Sequence, residues 1–88
     1  MDIGVEVSLY PLAEEFGPRI KAFLDRLQAA ERLKIVTSSL STQVFGAYDD
    51  VLGTLEREMR ATFAEGGKAV FILKVFGPLA APSSSPDR

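Results

Sequence analysis

The sequence predicts an α+β sandwich, a four-stranded antiparallel sheet with two helices on one face, in the order β-α-β-β-α-β. Three observations predict it. Ile3, Val5, Val7 and Leu9 alternate with Gly4, Glu6, Ser8 and Tyr10, the period of a strand. Two segments, from Pro18 to about Ala30 and from Asp49 to Gly66, carry apolar residues at helical spacing. Lys68 to Phe76 (KAVFILKVF) is a strand with apolar residues on both faces. Short connections and right-handed crossovers turn this order into the ferredoxin-like split βαβ sandwich. There the first strand lies inside the sheet, beside the third and the last.

Each element has its own signal. The first strand is stopped by Pro11, which has no N–H for the ladder. Pro18 suits the first turn of a helix, whose buried stripe is Ile20, Phe23, Leu24 and Leu27. Leu33 to Leu40 and Ser41 to Gly46 read as two strands, with a hairpin near Ser38–Leu40 marked only by serines. Asp49 or Asp50 can cap the second helix, whose stripe is Val51, Leu52, Leu55, Met59 and Phe63. Met59 in that stripe is core filler rather than a metal ligand. Glu56 and Arg60 form an i, i+4 pair, and Gly66-Gly67 supplies the left-handed stop.

The expected domain spans residues 1–77, and the Pro-, Ala- and Ser-rich residues 78–88 read as a disordered tail. A chain of 88 residues is one domain that buries about 60–65% of its unfolded surface, so oligomerisation would help it. Two helices cover one face of the sheet. The doubly apolar last strand therefore needs a cover on the other, and a second copy is the simplest one.

Ten basic and twelve acidic residues with no basic stripe make nucleic acid a poor partner. The absence of cysteine and histidine removes disulfides, thiolate chemistry, common zinc sites and histidine acid–base catalysis. No basic segment precedes an apolar run at the N-terminus, so the expectation is a cytoplasmic protein without membrane insertion. An enzyme is not expected, because Glu6 is the only acid placed inside a strand. The anion loop of acylphosphatases and the aromatic signature of RNA-recognition motifs are both missing.

The even face of the first strand is the candidate site. Glu6, Ser8 and Tyr10 stand in a row on a central strand, where polar groups need partners. The expected neighbours of Glu6 and Ser8 across the ladder are Thr42 and Val44. A carboxylate beside hydroxyls can pair with a flat nitrogen heterocycle that carries an amino group. A hydrogen bond to a charged partner is worth about 1.5–3 kcal/mol. Tyr10, Phe45, Tyr48 and Phe76 offer aromatic faces. The plainer alternative is that Glu6 pairs with Lys74, and that Ser8 and Thr42 bond to backbone.

The run Glu6-Val7-Ser8-Leu9-Tyr10-Pro11-Leu12, followed by Leu40-Ser41-Thr42-Gln43-Val44-Phe45-Gly46, resembles the YkoF-like thiamine- and hydroxymethylpyrimidine-binding proteins. The likeness covers residues 3 to about 76. It implies a module that binds thiamine or its hydroxymethylpyrimidine half without catalysis, in vitamin uptake or salvage. It implies binding roles for Glu6, Ser8, Ser41 and Thr42; Tyr10 matches the motif and can equally be structural, and Gly46 would serve a backbone turn. The family's type member resembles two fused modules, so one module implies a homodimer or homotetramer through the sheet face. With roughly 18 non-hydrogen atoms at about 0.3–0.5 kcal/mol each, thiamine should bind near micromolar. The unphosphorylated vitamin is favoured, since few basic residues lie near the site. The alternative function is a structural or regulatory homo-oligomerisation module with no small-molecule ligand.

Overall fold

Six elements follow in the expected order: β1 (Asp2–Pro11), α1 (Phe16–Gln28), β2 (Lys34–Thr37), β3 (Thr42–Ala47), α2 (Tyr48–Ala64) and β4 (Ala69–Phe76). The computed structural model describes residues 1–12, 16–39 and 41–80. The sheet order is β2-β3-β1-β4, with every pair antiparallel, so the fold is the expected ferredoxin-like sandwich. From residue 81 onward, the expected tail lies outside the described residues. Before that point Leu79 donates its N–H to the Asp2 carbonyl at 2.8 Å, which ties the end of β4 to the start of β1.

The core lies between one sheet face and the two helices. β1 supplies Ile3, Val5 and Val7, β3 supplies Val44, and the helices supply Phe23, Leu27, Val51 and Leu55. All eight are at most 3% exposed. Burying a side chain of this kind is worth about 1.5–3 kcal/mol. Phe23 tilts against Phe71 of β4 at 5.2 Å between ring centroids, and Phe63 meets the same ring edge-on at 5.5 Å.

Several boundaries move, each for a local reason. α1 begins at Phe16, two residues before Pro18, and the proline stays in the first turn where no intrahelical N–H bond is lost. β2 ends at Thr37 rather than near Leu40, because Ser38 turns the chain by donating its N–H to the Ser41 carbonyl at 2.9 Å. Leu40 itself lies outside the described residues. α2 has no aspartate cap. It begins at Tyr48, with Ala47 at the cap position and no side-chain bond there. The N–H of Tyr48 is satisfied by the Met1 carbonyl at 2.9 Å. Asp49 and Asp50 fall in the first helical turn instead, where their charge suits the positive end of the helix dipole.

The buried stripe of α2 is also rotated from the expected one. Thr54 and Thr62 join Val51 and Leu55 inside, while Phe63 is half exposed. Thr62 is held there by polar partners: its hydroxyl donates to the Glu58 carbonyl at 2.9 Å and accepts from Arg26 at 3.0 Å. Arg26 on α1 also bonds Glu58 and, at 3.0 Å, Glu65, so one guanidinium joins both helices above the core. Partial burial alone would lower its pKa. The bonds to Glu58 and Glu65 outweigh that and hold it above its ordinary value. Glu56 and Arg60 pair as expected, in the exposed i, i+4 position. Gly66 and Gly67 take positive φ after the helix, the conformation L-residues avoid.

Candidate functional site

β1 is paired on both sides for only part of its length. Its register with β3 stops at Val7–Thr42, whereas its register with β4 runs on to Pro11–Ala69. From Ser8 to Pro11 it therefore has a strand partner on one side only. The β2–β3 hairpin turns away at residues 38–41, and α1 passes beneath. A cavity of about 520 Å³ fills this notch. That is within the 300–1,000 Å³ typical of small-molecule sites. Its walls are the end of β1, from Val7 to Leu12, and the hairpin residues Thr37, Ser38, Ser39, Ser41 and Thr42. Its floor is Ile20, Phe23 and Leu24 of α1.

Four of the five residues expected at the site line this cavity: Ser8, Tyr10, Ser41 and Thr42. Glu6 stands one pair further back on the open face of the sheet, between Gln43 and Lys74. It remains connected, because the Ser41 hydroxyl donates to Glu6 Oε2 at 3.2 Å. On its other side Lys74 Nζ lies 3.7 Å from Glu6 Oε1, which is the pairing the plainer alternative expected. The Lys74 side chain is 76% exposed, so this contact is a weak surface pair.

The expected neighbours of Glu6 are corrected. Thr42 and Val44 pair with Val7 and Val5, on the helix side, and not with the polar face of β1. The physical reason is parity: a shift of one residue in register carries every side chain of a strand to the opposite face. Thr42 is accordingly buried among core residues, at 5% exposure, and reaches the cavity from below the sheet, whereas Tyr10 stands half exposed at its rim. Gly46 is corrected too. It lies within β3 opposite Ile3 rather than at a turn. A Cβ there would come within 2.7 Å of Leu33 Cδ2 and 3.3 Å of the Arg32 carbonyl, so a larger residue would have to displace the Leu33 side chain and press on the Arg32 backbone.

The aromatic residues divide. Of the four expected to stack on a ligand, only Tyr10 lines the cavity. Phe45 and Phe76 meet edge-on at 6.0 Å on the open face, above Gly4, where a Cβ would come within 2.5 Å of the Phe76 ring. Tyr48 belongs to a separate depression with Met1, Ala47, Asp49 and Asp50. That hollow, about 670 Å³, is larger but holds none of the other expected site residues. The sequence reading missed the contributions of Thr37, Ser38 and Ser39 and the α1 floor. The only signal the serines carry in the sequence is that of a turn.

The open face also carries exposed apolar residues, with Val70 and Ile72 paired to Tyr10 and Ser8 and the polar row Gln43, Glu6 and Lys74 between Val36 and the strand edge. Val36, Val70, Ile72 and Phe76 are each 40–49% exposed there. Among the described residues no group of acids could hold a metal ion, and no helix is long and apolar enough to cross a membrane.

No protein-family model matches the chain, and no curated protein matches it. Solved structures do. A hypothetical protein from Methanocaldococcus jannascii is 19% identical with a TM-score of 0.78, covering 94% of this chain and 87% of that one. A domain of unknown function, DUF77, from Bacillus cereus is 16% identical with a TM-score of 0.78, covering 99% and 85%. A Thermotoga maritima protein provisionally named for thiamine biosynthesis or salvage is 16% identical with a TM-score of 0.68, covering 89% and 85%. At these identities the likeness shows the fold, shared over nearly the whole chain.

Proposed function

We propose that this protein binds thiamine or its hydroxymethylpyrimidine half and releases it unchanged, as a cytoplasmic carrier in vitamin uptake or salvage. One observation carries the proposal. Four residues selected by motif (Ser8, Tyr10, Ser41 and Thr42) line a single cavity of suitable size, and the fifth, Glu6, is hydrogen-bonded to one of them. The name of the Thermotoga maritima neighbour points to the same vitamin.

The chemistry follows from the lining. The hydroxyls of Ser8, Ser41 and Thr42 present donors and acceptors to the edge of a flat aminopyrimidine. The apolar floor takes its faces, and Tyr10 closes the rim. Glu6 polarises the Ser41 hydroxyl and sets the sign of the local charge.

Assembly belongs to the same proposal. The exposed apolar residues of the open face, Val70, Ile72 and Phe76, suit a second copy of the chain and give a homodimer or homotetramer. It equally supports a second reading, an oligomerisation module that has no ligand.

Isothermal titration with thiamine and with the free pyrimidine, alongside sedimentation of the same sample, separates the two. Binding is expected with a Kd around micromolar, from a dimer or larger species. A well-folded oligomer that gives no heat with either compound would leave only the second reading.

A further inference from the structure

Resting on the binding proposal above, we infer that main chain, and not hydroxyls alone, holds the ligand: the open edge of β1 at Leu9 pairs with the side of a flat heterocycle that carries an amino group next to a ring nitrogen. In an antiparallel strand, successive residues turn their N–H and C=O towards opposite neighbours. The bonds at the two ends of β1 fix which residues face which way. The Leu12 N–H goes to the Lys68 carbonyl, and the Asp2 carbonyl accepts from Leu79 beyond β4. The Met1 carbonyl accepts from Tyr48, just after β3. Even-numbered residues of β1 therefore face β4, and odd-numbered ones face β3.

Val7, opposite Thr42, is the last odd residue that β3 reaches. β3 begins at Thr42, and the Ser41 carbonyl before it accepts from the Ser38 N–H instead. The next two odd residues, Leu9 and Pro11, both line the cavity. On that side their main chain has no hydrogen-bond partner among the described residues. Proline has no N–H, so this edge offers one donor, the Leu9 N–H, and two acceptors, the carbonyls of Leu9 and Pro11. Main-chain groups at an unpaired strand edge are a template for a further partner. Here Ser38, Ser39 and Ser41 wall the far side, so the partner is a molecule of cavity size and not another strand.

An amino group beside a ring nitrogen is the complementary edge. The Leu9 N–H donates to the ring nitrogen, and the Leu9 carbonyl accepts from the amino group. A ring held in this way lies in the plane of the sheet. One of its faces rests over Ile20, Phe23 and Leu24, and the other lies on the side of Ser8 and Tyr10. A heterocycle without the amino group leaves both carbonyls unmet, so the main chain itself selects for that group.

Amide hydrogen exchange followed residue by residue on the full chain is the test, with thiamine and the free pyrimidine as probes. Without ligand, the Leu9 N–H should exchange roughly tenfold or more faster than those of Ser8 and Tyr10, which face their β4 partners Ile72 and Val70. Saturating thiamine should bring it down to the rate of those neighbours. A Leu9 amide already as slow as theirs in the free protein would overturn the inference, whether or not anything binds. So would thiamine that binds by titration and leaves the Leu9 amide as fast as before, a result that keeps the binding proposal intact. Replacing the Leu9 N–H by an ester oxygen, with the side chain retained, should weaken thiamine binding roughly three- to tenfold, and an unchanged Kd would again count against the main-chain contact alone. No heat with either probe is a different result, which defeats the binding proposal and this inference together.

Discussion

Both faces of the sheet carry valine and isoleucine, and they leave them in opposite states. On the covered face Ile3, Val5, Val7 and Val44 are sealed beneath the helices. On the open face Val36, Val70, Ile72 and Phe76 keep two-fifths or more of their surface in water. Composition does not distinguish the two sets. The difference comes from the number of layers, since a chain with two helices has one cover for two faces. An apolar residue on the covered face is thus a commitment to the fold, and one on the open face is available for assembly. The cavity sits where the two regimes meet, with Thr42 reaching it from below the sheet and Ser8 and Tyr10 from the open side.

Substitutions on each side test that contrast. Phe23→Ala strikes the covered face at a buried ring beside Phe71. It should cost about 3–5 kcal/mol, read by chemical denaturation, because a cavity replaces a fully buried ring. A loss under 1 kcal/mol would mean that the core is far more plastic than its packing suggests. The cover itself is tested by Arg26→Ala, which unlinks α1 from Glu58, Thr62 and Glu65. The Glu58 side chain is only 18% exposed and would lose its cation, so about 1–3 kcal/mol of stability should go.

At the junction, Glu6→Gln should weaken thiamine binding at least tenfold, about 1.4 kcal/mol, while Tm stays close to the parent value. Unchanged affinity in titration would remove Glu6 from the site and leave it as the surface partner of Lys74. The open face should show the smallest effect on the fold. Ile72→Lys is expected to change the stability of the folded chain by no more than about 0.5 kcal/mol. It should nevertheless move the sedimenting species to the monomer. Sedimentation indistinguishable from that of the parent protein would sharpen the contrast differently, by showing that the exposed apolar face is not the contact between copies.

The polar half of the site was legible in part. Ser8 and Tyr10 follow from the alternation of β1, and Ser41 and Thr42 from the motif that follows the hairpin. What could not be read was how these residues meet. Alternation within β3 shows that Thr42 and Gln43 point to opposite sides, but not which of them shares a face with Glu6. That choice rests on the turn at residues 38–41, whose serines allow more than one register. The hydroxyls of Thr37, Ser38 and Ser39 carry no separate signal, because a turn explains serines without any ligand. The Asp49 or Asp50 cap failed for a related reason: the group that satisfies Tyr48 is the carbonyl of Met1, forty-seven positions away in the chain.

The sequence alone determined the element order, the central position of β1, the helical stripes through Phe23, Leu27, Val51 and Leu55, and the doubly apolar β4. These are local periodicities, and a few topological rules suffice to assemble them. Tertiary structure decided the parity of β3 against β1, the burial of Thr62 rather than Phe63, and the notch where β1 outruns its partner. Each of these depends on where two distant segments come to rest against one another. Ladder register, helix rotation and relative strand length are set by packing and turn geometry across the chain, so no local pattern encodes them.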